Sequence, residues 1–168
     1  GTGPTSLIGP QGDPGVDGGA GIEIYSVQYA RATPYTTTSA TMVAIDDANF
    51  GIAITLAVGD EVHLNFSAPF AISSPGNLIG FDWLVDAPVA DTLIGANLSA
   101  WAVAAFEFGN NGTDSNQQSA MGKWVATEAG VHTFKPRWRV SGGTTATLMT
   151  GTGNYTGLVE HRAIVQRA

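Results

Sequence analysis

Ile52-Ala53-Ile54-Thr55-Leu56-Ala57-Val58-Gly59-Asp60-Glu61-Val62-His63-Leu64-Asn65-Phe66 places an apolar side chain at every second position on both sides of a Gly-Asp pair. Successive side chains of a strand point to opposite faces, so a period of two describes two strands, each buried on one face, with Gly59-Asp60 as the turn. The natural reading is an antiparallel pair. A helix would repeat its apolar positions at 3.6, which this stretch does not do.

The same period recurs on either side. Ile22 and Ile24 face one side of a strand running to Arg31, with Tyr25, Val27 and Tyr29 on the other, and Pro34 ends it. Thr36 to Ile45 is β-branched, and the helix-unfriendly Asp46-Asp47-Ala48-Asn49 follows as a turn, a pairing that predicts a hairpin. Beyond the breakers Ser73-Ser74-Pro75-Gly76-Asn77, residues Ile79, Phe81, Trp83 and Val85 share a face opposite Asp82. Ala87 to Asn97 reads as a connection. Leu98 to Phe108 is read as a strand despite its alanines, closed by Gly109-Asn110-Asn111-Gly112. Lys123 to Thr127 is a short strand. His132, Phe134, Pro136, Trp138 and Val140 then alternate with Thr133, Lys135, Arg137 and Arg139, and the internal proline predicts an edge strand or a bulge. Thr144 to Thr150 and Leu158 to Gln166 complete about ten short strands, which predicts an all-β fold, a sandwich or barrel.

Composition narrows the function. With 43% hydrophobic and 12% charged residues the chain is too apolar to be disordered, and residues 22–168 suffice for one domain with its own core. A net charge of -7 with only seven Lys and Arg argues against nucleic acid and against an anionic membrane surface. No apolar run is long enough to span a bilayer, and no signal-peptide layout opens the chain. The absence of cysteine excludes disulfides and thiolate metal sites.

Residues 1–21 follow a different rule. Glycine stands at Gly9, Gly12, Gly15, Gly18 and Gly21, with Gly3 in phase and one break at Ser6. Only glycine fits the axis where three polyproline-II strands meet, so this period predicts a short collagen-like stem and two identical partner subunits. At about 3 Å per residue, Gly9 to Glu23 would extend roughly 45 Å. A flexible Gly/Pro linker is the alternative, and the sustained phase speaks against it. Five triplets are too few to hold three chains alone, so the domain after the stem is expected to supply most of the trimer's stability. Because the chain opens within the glycine phase and without Met, it reads as the C-terminal piece of a longer fibrous polypeptide.

A stem of the Gly9-Pro10-Gln11-Gly12-Asp13-Pro14-Gly15 kind feeding a β domain of this size resembles the trimeric heads of the tumour necrosis factor and complement globular-head superfamily. More closely it resembles the head domains of bacteriophage tail and capsid fibres. Val58 to Phe66, Ile79 to Asp86, Gly130 to Phe134 and Trp138-Arg139-Val140 are similar to phage structural domains. The resemblance implies a homotrimeric jelly-roll head on a virion surface, its tip free to touch a host cell. On this basis the expected function is attachment to a host cell-surface glycan or protein. A purely structural capsid or tail decoration and a bacterial or spore-surface collagen-like protein are the alternatives.

Candidate chemistry is sparse, and no enzymatic activity, cofactor or metal is expected. His63, His132 and His161 fall in separate strands with no ligand spacing. Asp82 with Asp86, or Glu107 with Asp114, could be proposed as carboxylate pairs for glycoside hydrolysis, but fourteen acids offer such pairs by chance. The polar stretch from Gly109 to Gln118 is the better binding candidate. Asn110, Asn111, Asp114, Asn116 and Gln117 bring amides and a carboxylate suited to sugar hydroxyls, with Trp101 or Trp124 as a stacking platform; a solvated loop rich in turn formers is the plain alternative. Asp114 alone would bring charge to a calcium ion there. Lys135, Arg137 and Arg139 put three cations on one strand face, either an edge-protecting row or a grip for an anionic glycan or for acids of a neighbouring subunit. The tryptophans are otherwise expected in the core or at subunit contacts. Asn-x-Ser/Thr triplets at Asn65, Asn97, Asn111 and Asn154 are expected by chance in so Asn-, Ser- and Thr-rich a chain.

Overall fold

A computed structural model of the chain describes residues 21–29, 33–97, 104–107, 116–149 and 159–168, with only the backbone at 96, 97, 106, 107 and 116. The stem glycines Gly9, Gly12, Gly15 and Gly18 lie outside these residues; Gly21 is described. Twelve strands follow in chain order: β1 (Ile22–Gln28), β2 (Tyr35–Thr37), β3 (Val43–Ala44), β4 (Ile52–Leu56), β5 (Glu61–Ile72), β6 (Leu78–Asp86), β7 (Thr92–Leu93), β8 (Ala104–Glu107), β9 (Asn116–Val125), β10 (Gly130–Val140), β11 (Ala146–Leu148) and β12 (Glu160–Gln166). One helical turn, α1 (Asp47–Phe50), and a 3-10 turn at Ile94–Asn97 are the helical elements among the described residues.

Two six-stranded antiparallel sheets form a β-sandwich of jelly-roll type. In the first, β5 is the spine: β9 pairs along one side, while β12 and then β11 share the other, and β1 and β2 add to β12 and β11 respectively. In the second, β10 and β6 form the centre, with β4 and β3 beyond β10 and with β7 and β8 beyond β6. The strands either side of Gly59-Asp60 therefore do not pair with each other. β4 belongs to one sheet and β5 to the other, and the turn carries the chain across. The expected hairpin from Thr36 to Ile45 resolves in the same way, since β2 pairs with β11 and β3 with β10. Nor is Asp46–Asn49 a plain turn: Asp46 caps α1 by accepting from the Asn49 amide at 3.1 Å, and α1 drives Phe50 into the core.

The proline in β10 does not make it an edge. β6 covers one side of that strand from Thr133 to Val140, and on the other side β4 pairs with residues 130–134 and β3 with 137–138. Pro136 falls in the gap between them, where the chain detours through α1. Its carbonyl accepts from Ile45 on that side. N–H and C=O of one strand residue point the same way, so the missing donor faces a place where the ladder is already interrupted. Pro69 sits likewise in β5, between the end of β12 pairing at Ser67 and the start of β11 pairing at Phe70, its carbonyl accepting from Met149.

The core is strongly aromatic. Phe66 of β5 stacks on Phe81 of β6 at 4.9 Å between ring centroids, and Phe50, Phe70, Trp83 and Trp138 extend the cluster at 5.0–6.4 Å. Burying each such ring contributes about 1.5–3 kcal/mol, so this contact between the sheets is a principal source of stability. Trp83 reaches across to β9, where a Cβ built on Gly122 would lie 2.9 Å from its ring. The ring is fully buried and hydrogen-bonded, so it cannot retreat. Gly122→Ala is therefore expected to cost about 1–3 kcal/mol, lowering the thermal midpoint by roughly 2–12 °C. Circular dichroism melts check this; an unchanged midpoint would show that the sheets can part at this point without penalty.

Candidate functional site

The first sheet turns its outer face to solvent, and register fixes what stands there. Reading across β1, β12, β5 and β9, one row is Ile24, Ile164, His63 and Lys123, and the next is Ser26, Arg162, Asn65 and Met121. The row nearest Gly21 is Ile22, Gln166, Glu61 and Val125. Ile22, Ile24 and Met121 are 70%, 66% and 72% exposed and Val125 44%. Between β12, β5 and β9 runs a groove of about 360 Å³ lined by His63, Asn65, Met121, Glu160, Arg162 and Ile164, among others. Both charge signs border it. Glu61 accepts from Lys123 and from His63, each at 2.5 Å, and its carboxyl is held below the usual carboxylate range mainly by the Lys123 hydrogen bond. Glu160 pairs with Arg162 at 3.0 Å and accepts from Ser26.

The long axis of the sandwich has two distinct ends. At one lie Gly21, Gln166, Glu61 and Val125, with Arg167 donating its backbone N–H to the Gly21 carbonyl. The Arg167 guanidinium bridges Glu23 at 2.7 Å and the buried Asp60 at 2.6 Å, and Asp60 also accepts from the Ala57 and Ala168 amides. Burial pushes the Asp60 carboxyl up, but these donors outweigh it and hold it below the usual range. Toward the other end, at about 3.3 Å per residue along β5, Gln28 and Glu160 stand about 20 Å away opposite Ser67, and Phe70 and Asn116 about 30 Å away.

Of the binding residues expected from sequence, Trp101, Asn110, Asn111 and Asp114 lie outside the described residues. Asn116 begins β9 opposite Phe70 at the end away from Gly21, and the exposed Gln117 donates to Ser67 at 2.8 Å. Trp124 is eight residues further along β9, about 26 Å away, opposite Val62. It packs against the core with its indole nitrogen buried, so it stands at the Gly21 end and offers Asn116 and Gln117 no stacking face.

The three cations are spent within the chain or set apart from an edge. Lys135 pairs with Asp86 at 2.5 Å, and Arg137, itself buried, pairs with Asp47 and donates to the Pro136 carbonyl. Arg139 shares their face but, like them, lies on a central strand, so the row does not protect an edge. Asp82 is buried and accepts from the Trp83 and Gly95 amides; burial raises its pKa despite these bonds. Asp82 and Asp86 are thus each committed to a local partner. Glu107 has no described side chain and Asp114 lies outside the described residues. His132 is buried with Nδ1 at 3.1 Å from the Gly130 carbonyl. Among the described residues no three His, Asp or Glu gather as a metal site, and no helix is long and apolar enough to cross a membrane.

His161 is buried with both ring nitrogens bonded. Trp83 Nε1 donates to its Nε2 at 2.9 Å. An indole nitrogen only donates, so Nε2 is bare and the proton sits on Nδ1, donated to the Phe50 carbonyl at 2.6 Å. Burial lowers its pKa to about 4. One side chain on β12 thereby ties β6 and α1 together.

The residues that sequence reading passed over as a site are Ile22, Ile24, Met121 and Val125. A signal was present at β1, which is apolar on both faces although only one can meet the core.

The geometry defines a two-sheet antiparallel β-sandwich with Ile22, Ile24, Met121 and Val125 exposed among polar residues on the outer face of one sheet. No protein-family model and no curated protein matches the chain. Among solved structures it is similar to the Eiger TNF from S. frugiperda, at 7% identity over 86% of this chain and 93% of that one, with a TM-score of 0.44. It is also similar to VP2 of infectious bursal disease virus in a subviral particle, at 15% identity, TM-score 0.44, and to particles derived from that virus, at 16% identity, TM-score 0.46. The chain spans less than half of these viral chains, 44% and 41% respectively.

Proposed function

We propose that the chain is the head of a homotrimeric fibre on a virion surface, and that it attaches to a host cell-surface glycan through the end away from Gly21. The observation that carries this reading is the polarity of the sandwich. The glycine-period segment joins at the same end where Arg167 and Ala168 are fastened, while the polar stretch from Gly109 to Gln118 enters β9 at the opposite end. A head on a stem needs that arrangement, since its tip must be free. Amides that donate and accept together suit sugar hydroxyls, and three weak sites held at fixed spacing gain avidity without any new contact.

The test is binding of the full chain to host cells and to an array of bacterial envelope glycans, beside an Asn110→Ala, Asn111→Ala, Gln117→Ala triple variant. Wild-type binding that falls at least tenfold in the variant is the expected result. A folded trimer that binds neither cells nor glycans overturns attachment and leaves a structural decoration.

A further inference from the structure

We infer that Asp82 is the stop that ends β7 and fixes where β8 lies along β6. β7 pairs with β6 in one register, Thr92 opposite Val85 and Leu93 opposite Leu84. Continued along β6, that register would set Ile94 opposite Trp83 and Ala96 opposite Phe81. Phe81 instead faces Ala104, eight positions beyond Ala96, and β8 runs on from there to Glu107 opposite Leu78. One edge of β6 therefore carries two registers, and the break between them falls at Asp82 and Trp83.

Hydrogen bonding shows what makes the break. Trp83 is paired with Pro136, whose carbonyl is turned away from β6 and accepts from Ile45. Residues paired in this way in an antiparallel ladder turn their N–H and C=O outward together, so the Trp83 N–H points to the side of β7 and β8. It is the donor that the next rung, to the Ile94 carbonyl, would use. Asp82 takes it first, accepting from the Trp83 amide at 2.7 Å, and the same carboxylate accepts from the Gly95 amide at 3.1 and 3.2 Å, within the 3-10 turn. Asp82 and Trp83 are both buried, so water does not compete for these donors. The first register is a close competitor. It would bring Ala96 and Leu98 opposite Phe81 and Ile79, where Ala104 and Phe106 stand, an alanine and then a larger apolar residue in each case. The apolar pattern leaves this edge underspecified, and a buried carboxylate, costly in itself, decides it.

The experiment follows amide exchange by NMR in the full chain, beside Asp82→Val and Asp82→Asn. Valine suits a strand and removes the acceptor. The expected result is that β7 then runs on in its own register: exchange slows by about tenfold or more at Ile94 and Ala96, accelerates by about as much along β8, and is unchanged on β10. Opposite changes on the two stretches distinguish a shift of register from general loosening, which accelerates both. Asparagine keeps an acceptor oxygen and should keep the wild-type pattern. A folded Asp82→Val with β8 protected as in the wild type overturns the proposal, as does acceleration on both stretches together. Should Asp82→Val not fold, Asp82→Asn decides: β8 protected as in the wild type supports the oxygen as the stop, and loss of that protection overturns it.

Discussion

His161→Leu lowers the stability of the sandwich by about 4 kcal/mol. The leucine fills the space but accepts nothing from Trp83 Nε1 and donates nothing to the Phe50 carbonyl, leaving two buried polar groups unpaired. Each such orphan costs about 1–3 kcal/mol, whereas a hydrogen bond lost together with both its partners costs far less. Removing the donor together with the acceptor supplies the control. In a Trp83→Phe background the indole donor is gone, and adding His161→Leu should cost at least 1 kcal/mol less than it does alone, as read by a double-mutant cycle in urea. Strict additivity would mean that the hydrogen bond contributes nothing.

The same histidine makes stability depend on pH with a definite sign. Its pKa is about 4 in the folded chain against an ordinary 6.5, so the unfolded chain takes up the proton first. The stabilisation is complete above pH 6.5, declines as pH falls, and is lost by pH 4, a total of roughly 3 kcal/mol at 1.36 kcal/mol per pH unit. His161→Leu should flatten the profile between pH 6.5 and 4. A variant that keeps the wild-type slope would place the proton uptake elsewhere.

Arg167→Ala produces the second large effect, about 2–3 kcal/mol at pH 7. Asp60 is 2% exposed and loses one of its three donors, which leaves a buried carboxylate under-compensated. Breaking a fully buried pair costs 3–5 kcal/mol, and the figure here is lower because the guanidinium is 28% open to water. Because Asp60 titrates below its ordinary range, the pair is intact at neutral pH and fails only as pH falls through that lowered value. Arg167 also holds Glu23, so the loss should spread to the edge strand. Amide exchange on β1 is expected to accelerate more than exchange on β6. Equal acceleration on both would mean that Arg167 supports the fold globally and does not fasten β1.

Much of the fold was legible because burial leaves a period of two. The inward faces of β4, β5, β6 and β10 follow the alternation of Ile52 to Leu56, Val62 to Phe66, Ile79 to Val85 and His132 to Val140. Alternation states which face is buried and is silent about which strand lies alongside, so β4 and β5 read as neighbours although they line opposite walls of one core. Pro136 misled for a related reason: a lone strand does not reveal that its neighbour is split by α1. The polar stretch entering β9 at Asn116 was visible in composition. The exposed face was not, because single apolar residues among polar ones look ordinary until register across four strands puts Ile24, Ile164 and Met121 on the same outward face of one sheet.

The attachment of β1 also governs how the domain bears a load. Gly21 continues directly into this edge strand, whose seven residues pair with β12 from Ile22 opposite Gln166 to Gln28 opposite Glu160. Tension drawing Gly21 away from the sandwich along β1 acts along the strand axis. It shears the whole β1–β12 ladder at once, where a sideways pull would open it rung by rung. The Arg167 clasp on Glu23 sits at the loaded end. A pull on Gly21 would thus be resisted by bonds that must yield together, which is the stronger way to fasten a strand.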